Sequence, residues 1–98
     1  MSFNQKVYEL VARIPKGRVS TYKIVAEKLG TKAYRAVGQA MNKNPHWPRV
    51  PCHRVVGTDG GIGGFAQGTK KKIALLSRER IFLKNGKIVD FKKKLYRF

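Results

Sequence analysis

Three prolines between residues 45 and 51 divide this 98-residue chain more firmly than any other feature of its sequence. Pro45, Pro48 and Pro51 lack a backbone N–H donor, and each biases the residue before it towards an extended conformation. A regular helix therefore cannot run through residues 44–51. We predict a structured, non-helical loop there, between a first half with helical periodicity and a second half rich in glycine.

The N-terminal residues have the periodicity of an amphipathic helix. Apolar residues recur at three- and four-residue spacing from Ser2 to Ile14. Ser2 and Gln5 are placed as a capping box, in which each side chain bonds to the backbone of the other residue. Pro15 and Gly17 follow and end the pattern. The sequence thus predicts a first helix over 2–14.

Two shorter helices are predicted before the proline loop. Thr21 provides a start signal for a helix over 22–29. A narrow apolar stripe predicts another helix over 33–42 and leaves Arg35 and Gln39 facing outward. Two short helices joined by a glycine-containing turn are typical of a helix-turn-helix.

The second half begins with a glycine-rich turn. Five glycines lie within residues 57–65, which predicts a tight turn or a small wing. Thr69 is expected to cap a helix that runs to about Glu79. The apolar residues of this helix available to the core are Ile73, Leu75 and Leu76. Lysines crowd its first turn, and both phosphate contact and a plain solvated face remain open explanations for them.

The C-terminal residues are strongly basic. Asn85-Gly86 is a preferred two-residue turn, so residues 82–91 are predicted to form a short hairpin. Residues 92–98, Lys-Lys-Lys-Leu-Tyr-Arg-Phe, are expected to be disordered.

The charge balance of the chain indicates a polyanionic partner. Lysine and arginine total 22 against five acidic residues, a formal net charge of +17. Nucleic acid is the leading candidate, although a ribosomal or chromatin protein, or a chain held by anionic lipid, has a similar balance. With 42% hydrophobic residues, the chain is expected to form one compact domain over 1–98.

Cys52 is the single cysteine, so no intrachain disulfide can form. The N-terminus lacks the apolar segment of a signal peptide, and no apolar run approaches the roughly 20 residues of a membrane span. We therefore expect an intracellular protein with a free thiol and no membrane partner. A thiol is a useful nucleophile only beside a group that removes its proton, and His53 is adjacent. In most proteins, however, a lone buried cysteine is simply a small hydrophobic residue.

Residues 51–56, Pro-Cys-His-Arg-Val-Val, resemble the active-site signature of the O6-alkylguanine-DNA alkyltransferases. The resemblance extends from about Val7 to Glu79. Its further elements at family-like spacing are Arg35-Ala36-Val37-Gly38, Asn44-Pro45, the 60–65 segment and Leu75-Leu76 ahead of Glu79. This combination of a specific motif with ordered flanks favours membership of that family, represented here by its active-site domain.

The resemblance implies a single displacement in which Cys52 attacks the alkyl carbon and guanine leaves, with no cofactor and no metal. It also implies that Glu79 orients His53, which takes the thiol proton through a water. Asn44 would join the turn before the recognition helix to the active-site loop. Without the resemblance, His53 would be interpreted as a structural histidine and Glu79 as an ordinary charge at the end of a helix. Asn44 would be interpreted as part of an Asn-Pro turn.

The same resemblance implies that double-stranded DNA containing O6-alkylguanine is the partner. Arg35 would fill the space left by the flipped nucleotide, and Tyr22 would rotate a phosphate. The residues expected to contact DNA are Thr21, Tyr22, Arg35, Ala36, Gly38 and Gln39. Those expected to line the substrate pocket are Met41, Val55, Val56, Gly63, Phe65 and Ala66. Met41, Val55 and Val56 would form either the apolar walls of this pocket or the core beside it, and the pocket is slightly favoured for Met41.

The sequence as a whole predicts a mainly α, winged helix-turn-helix-like domain with a short β hairpin or wing, acting as a monomer. One alternative is an alkyltransferase-like protein that flips the damaged base but has tryptophan or alanine in place of the cysteine. Another is a helix-turn-helix regulator with an incidental thiol. Most family members carry an additional N-terminal domain, which we do not expect in this protein. Gln67, where glycine is common, and the basic tail also depart from the family pattern.

Overall fold

The computed structural model describes residues 1–63 and 68–98, and the chain is mainly helical there. The helices are α1 (Phe3–Val11), α2 (Tyr22–Lys28), α3 (Tyr34–Asn42), α4 (Thr69–Arg78) and α5 (Phe91–Lys94). The strands are β1 (Ser20–Thr21), β2 (Val55–Val56), β3 (Leu83–Lys84) and β4 (Lys87–Ile88). A 3₁₀ turn, Cys52–Arg54, precedes β2. The mainly α architecture with a helix-turn-helix, predicted from the periodicity, is confirmed.

The first two helices begin where their capping residues predict. The Ser2 hydroxyl accepts a hydrogen bond from the Gln5 backbone at 3.1 Å, and the Gln5 side chain accepts one from the Ser2 backbone at 2.9 Å. The Thr21 hydroxyl accepts from the backbone N–H of Ile24 at 3.0 Å. These side chains satisfy donors that the first helical turn leaves unpaired. Both predicted start signals are therefore confirmed.

A two-residue parallel ladder connects the start of α2 to the segment after the cysteine. Ser20 pairs with Val55 and Thr21 pairs with Val56. Side chains alternate across a strand, so the two valines face opposite sides of β2. The ladder fixes the position of the 3₁₀ turn relative to the helix-turn-helix, and local sequence patterns did not predict it.

The apolar residues form two buried clusters, one on each side of β2. The first lies among α1, α2 and α3 and includes Met41, Cys52 and Val55. The second contains Val19, Val56, Leu76, Ile81 and Ile88. Cys52 thus belongs to the cluster that contains the buried residues of the helix-turn-helix.

Helix α4 differs from its prediction in two respects. Gly68 is the N-cap residue and Thr69 is already helical, with no capping hydrogen bond from a side chain. Ile73, predicted for the core, is 39% exposed, whereas Lys72 is fully buried and Leu76 points inward. The face of α4 is set by packing against β2, which brings position 72 and not position 73 over the core.

The C-terminal residues are ordered, contrary to the disorder expected for residues 92–98. The predicted hairpin is present as the antiparallel pair β3–β4 around Asn85-Gly86. Beyond α5, Val19 donates to the carbonyl of Lys94 at 2.9 Å, and Tyr96 donates to the carbonyl of Val19 at 2.7 Å. This pairing with Val19, distant in sequence, holds the tail in place.

No helix in the described ranges is both long enough and apolar enough to traverse a lipid bilayer. Residues 1–63 and 68–98 likewise contain no grouping of three or more His, Cys, Asp or Glu side chains suited to a metal ion.

Candidate active site

The cysteine lies in a short turn that is held by the proline loop. Cys52 is 5% exposed, and its backbone N–H donates to the carbonyl of Val50 at 2.9 Å. The side-chain amide of Asn44 donates to the same carbonyl at 2.8 Å, and its oxygen accepts from the backbone of His46 at 2.9 Å. Asn44 therefore links both ends of the loop that leads into the cysteine. These hydrogen bonds do not test its predicted link to the turn before the recognition helix, which stays a prediction.

Glu79 fixes the orientation of His53. The His53 Nε2 atom lies 2.7 Å from Oε2 of Glu79, and both side chains are buried. Because an ionised carboxylate only accepts hydrogen bonds, the proton of this pair lies on Nε2 of the histidine. Nδ1 is then unprotonated, and it is buried without a hydrogen-bond partner among the described residues. This leaves a basic nitrogen on the residue next to the thiol.

Arg54 locks the carboxylate, a role that the sequence analysis missed. Its guanidinium donates to both carboxylate oxygens of Glu79, from Nε at 2.9 Å and from Nη2 at 3.0 Å. Nη1 donates to the carbonyl of Ile14 at 2.9 Å, and the backbone of Gly17 donates to Glu79 at 3.3 Å. Bidentate pairing of this kind restricts a carboxylate to one orientation. The sequence offered one signal for this pairing. Acidic residues are scarce in so basic a chain, and a buried carboxylate requires a cation.

The thiol is surrounded by apolar groups and one buried cation. Burial raises the pKa of Cys52, against the opposing effects of the Asn44 amide and the Lys72 ammonium. Lys72 donates from Nζ to the carbonyl of Val55 at 2.8 Å, and burial lowers its pKa to about 8. A thiol with a raised pKa is largely protonated at neutral pH, so it needs a base before it can act as a nucleophile.

The histidine is suited to be that base. Burial lowers the pKa of His53, although the hydrogen bond to Glu79 acts in the opposite direction. The edge of Trp47 also packs on the imidazole, with ring centroids 5.2 Å apart. Burial alone would raise the pKa of Glu79, but the hydrogen bonds from Arg54 and His53 outweigh it and hold that pKa below its ordinary value. At neutral pH the site thus contains a neutral imidazole and an ionised carboxylate.

Tyr22 packs against Gly63 of the glycine-rich turn and lies beside Gly38 of α3. A Cβ at Gly63 would come within 2.8 Å of the Tyr22 hydroxyl, and Gly63 has a φ of +69°. A Cβ at Gly38 would lie 4.0 Å from Cε1 of the same ring. Burial raises the pKa of Tyr22, with a smaller contribution from Cys52. Gly63 therefore leaves room for the Tyr22 hydroxyl, whereas a Cβ at Gly38 would be at ordinary contact distance. Tyr22 thus joins α2 to the glycine-rich turn near the thiol.

The remaining candidate residues fall into three groups. Arg35 and Gln39 are exposed on α3, whereas Thr21 is buried and its hydroxyl is used as the cap of α2. Met41 and Val55 share the cluster of Cys52, while Val56 faces the second cluster and is not brought to the thiol. Ala36 is half-buried. The candidate pocket residues Phe65 and Ala66 lie outside the described residues.

The buried cysteine, the histidine–glutamate pair and the helix-turn-helix thus occur together in this chain. The family described as 6-O-methylguanine DNA methyltransferase, DNA binding domain, matches residues 2–81. The chain belongs to this family.

Individual relatives agree with this assignment. A methylated-DNA–protein-cysteine methyltransferase of Saccharolobus islandicus is 49% identical over 79 residues, which cover 81% of this chain and 51% of the relative. Mycobacterium tuberculosis OGT in complex with DNA has a TM-score of 0.78 and 40% identity over 82% of this chain and 50% of its own. The chain thus spans about half the length of the curated relatives that it matches.

A further solved structure is similar over nearly the entire chain. Schizosaccharomyces pombe Atl1, in complex with damaged DNA containing O6-carboxymethylguanine, has a TM-score of 0.83 and 31% identity. The match covers 98% of this chain and 95% of that structure.

Proposed function

We propose that this protein repairs DNA by transferring an alkyl group from O6 of guanine to Sγ of its own Cys52. The observation that carries the proposal is the buried thiol next to a histidine whose other nitrogen is held by Glu79 at 2.7 Å. The M. tuberculosis and Saccharolobus relatives, a DNA-bound OGT and a protein-cysteine methyltransferase, support the same chemistry. One chain suffices for one lesion, so we expect a monomer that acts inside the cell, where DNA lies.

The proposed reaction is one displacement. The thiol proton passes to Nδ1 of His53, through a water as the family resemblance implies, and Glu79 stabilises the imidazolium that forms. The Cys52 thiolate then attacks the alkyl carbon. A sulfur–carbon bond forms, the carbon–O6 bond breaks, and its electron pair goes to guanine, which takes up a proton. The product thioether is stable, so each molecule reacts once.

The damaged base can reach the thiol only after it leaves the DNA duplex. Cys52 is 5% exposed and cannot touch a base that remains stacked in a duplex. Arg35, exposed on α3, is proposed to fill the vacated space, and Tyr22 is proposed to contact the backbone phosphate. These roles rest on the family resemblance and on the exposure of Arg35 beside a helix-turn-helix.

The proposal is tested by following the loss of O6-methylguanine from a duplex supplied in excess over the protein. We expect the lesion to disappear until one equivalent per protein chain is consumed and then to persist. Cys52→Ser should leave the lesion intact. Continued loss beyond one equivalent would mean catalytic turnover, which a stable thioether does not allow.

A second candidate function is lesion binding without transfer. The near-complete coverage of the chain by the Atl1 structure favours it. It predicts tight binding to the O6-methylguanine duplex with no loss of the lesion from the wild-type protein. The two candidates are separated by the same assay, because only transfer depends on the Cys52 sulfur.

The rate of transfer should depend on pH through His53. The imidazole must be neutral to accept the thiol proton, and burial holds its pKa below the ordinary 6.5. We therefore expect a rate that is flat from about pH 8.5 down to 6.5 and falls only at lower pH, as the histidine becomes protonated. Single-turnover rates across this range measure the profile. A rate that rises tenfold per pH unit throughout would show that thiol ionisation limits the reaction and that His53 is not the base.

A further inference from the structure

The C-terminal basic segment, residues 91–98, is a strongly charged surface that the transfer reaction does not use. It contains Lys92, Lys93, Lys94 and Arg97 and no acidic residue. Lys92, Lys93 and Arg97 are exposed. Within residues 1–63 and 68–98, every ion pair involves Glu79 or Asp59, so no carboxylate there neutralises these four cations. The family match ends at residue 81, before this segment.

The segment is built into the fold. The ring of Phe91 packs on Gly60, where a Cβ would lie 3.1 Å from Cγ of the ring. Leu95 forms a parallel bridge with Val19, and Arg18 donates to the carbonyl of Leu95 at 3.3 Å. Backbone hydrogen bonds that fix these residues in advance reduce the conformational entropy lost when their side chains bind a partner.

The docking position places the basic segment beside the residues that lead into α2. Val19, the residue that pairs with the segment, is followed by β1 and then by Tyr22, the first residue of α2. Only Ser20 lies between Val19 and Thr21, so these two residues are roughly 7 Å apart along an extended backbone. The basic segment is therefore held next to the residues that lead into the helix-turn-helix.

We infer that the C-terminal basic segment extends the DNA-binding surface and contacts backbone phosphates of the duplex on the flank next to α2. The inference rests on the proposed function for the identity of the polyanion. Its contacts are with phosphate and not with bases, so they raise affinity for any duplex sequence. The segment supplies part of the affinity that helps to offset the cost of extruding a base.

The inference is tested by binding to an undamaged duplex over a range of salt concentrations, so the outcome does not depend on alkyl transfer. The first variant changes Lys92, Lys93, Lys94 and Arg97 to Gln. The matched control changes Lys6, Arg13, Lys28 and Lys43 to Gln. These four exposed cations lie on α1, just after α1, and at the C-terminal ends of α2 and α3. Both variants lose the same formal charge. Thermal unfolding checks that both variants remain folded.

We expect the tail variant to reduce the slope of log affinity against log salt by about three to four, since each lost phosphate contact contributes about 0.9. The control should change it by about one or less. Equal changes in both variants would mean that only net charge matters and would overturn the inference. An unchanged slope in the tail variant, with weakened binding to vesicles of phosphatidylserine, would overturn it in favour of a lipid surface.

Discussion

Glu79→Gln should lower the rate of alkyl transfer by about 100-fold or more while the fold persists. The amide keeps the shape of the side chain but not its charge, so it no longer stabilises the imidazolium of His53. It also presents a donor where Arg54 donates at 2.9 and 3.0 Å, leaving that guanidinium without its counter-charge. We expect the free energy of unfolding to fall by about 2 kcal/mol, or roughly 10 °C in Tm.

Asp59→Asn is the matched control for this substitution. It makes the same carboxylate-to-amide change in an exposed residue whose ion pair with Lys87 spans 3.6 Å. Exposed pairs of this kind contribute little, so transfer and stability should both equal those of the wild type. If Glu79→Gln transferred at the wild-type rate in single-turnover measurements, the histidine–glutamate pair would be structural and not part of the reaction.

Arg35→Ala should slow repair of duplex DNA by about 10- to 100-fold and leave the reaction with free O6-benzylguanine unchanged. Only the duplex requires a side chain to replace the extruded base, and unstacking costs a few kcal/mol that this side chain helps to offset. The comparison of the two substrates isolates that step, because a damaged active site would slow both. Rates under single-turnover conditions provide the measurement.

Lys43→Ala removes a cation from the other end of α3 and serves as the control for Arg35. It should reduce duplex repair only to the extent that one charge weakens binding, and added protein should restore the rate. An equal loss on duplex and free base in Arg35→Ala would remove the proposed role of Arg35 in base extrusion.

The sequence predicted those parts of the fold that local patterns determine. Capping residues located the starts of α1 and α2, and Asn85-Gly86 located the hairpin. The hexapeptide at residues 51–56 placed the candidate nucleophile and its neighbouring base. In each case the signal and the structure lie within a few residues of one another.

Features that depend on distant pairing were missed. Ser20 pairs with Val55, and Val19 pairs with Leu95, but neither partner carries a sign of the other in its local sequence. The buried face of α4 was predicted wrongly for the same reason. Packing against β2 buries Lys72, whereas periodicity alone favoured its apolar neighbour Ile73.

The candidate active site shows the same difference between features that a motif predicts and features that depend on distant residues. His53 and Glu79 were identified together because a motif relates them, and the structure places them 2.7 Å apart. Arg54 was overlooked although it belongs to the motif, because its role depends on a carboxylate 25 residues further along the chain. Val56 was grouped with Val55 as a pocket residue, yet strand alternation directs it to the other cluster.

The most direct test of the proposed repair reaction is intact-protein mass spectrometry after incubation with a duplex containing O6-methylguanine, followed by peptide mapping. We predict a gain of one methyl group per chain, located on Cys52 and absent from Cys52→Ala. An unchanged mass in the wild-type protein, together with tight binding to the lesion, would contradict alkyl transfer and leave a protein that recognises the damaged base without repairing it.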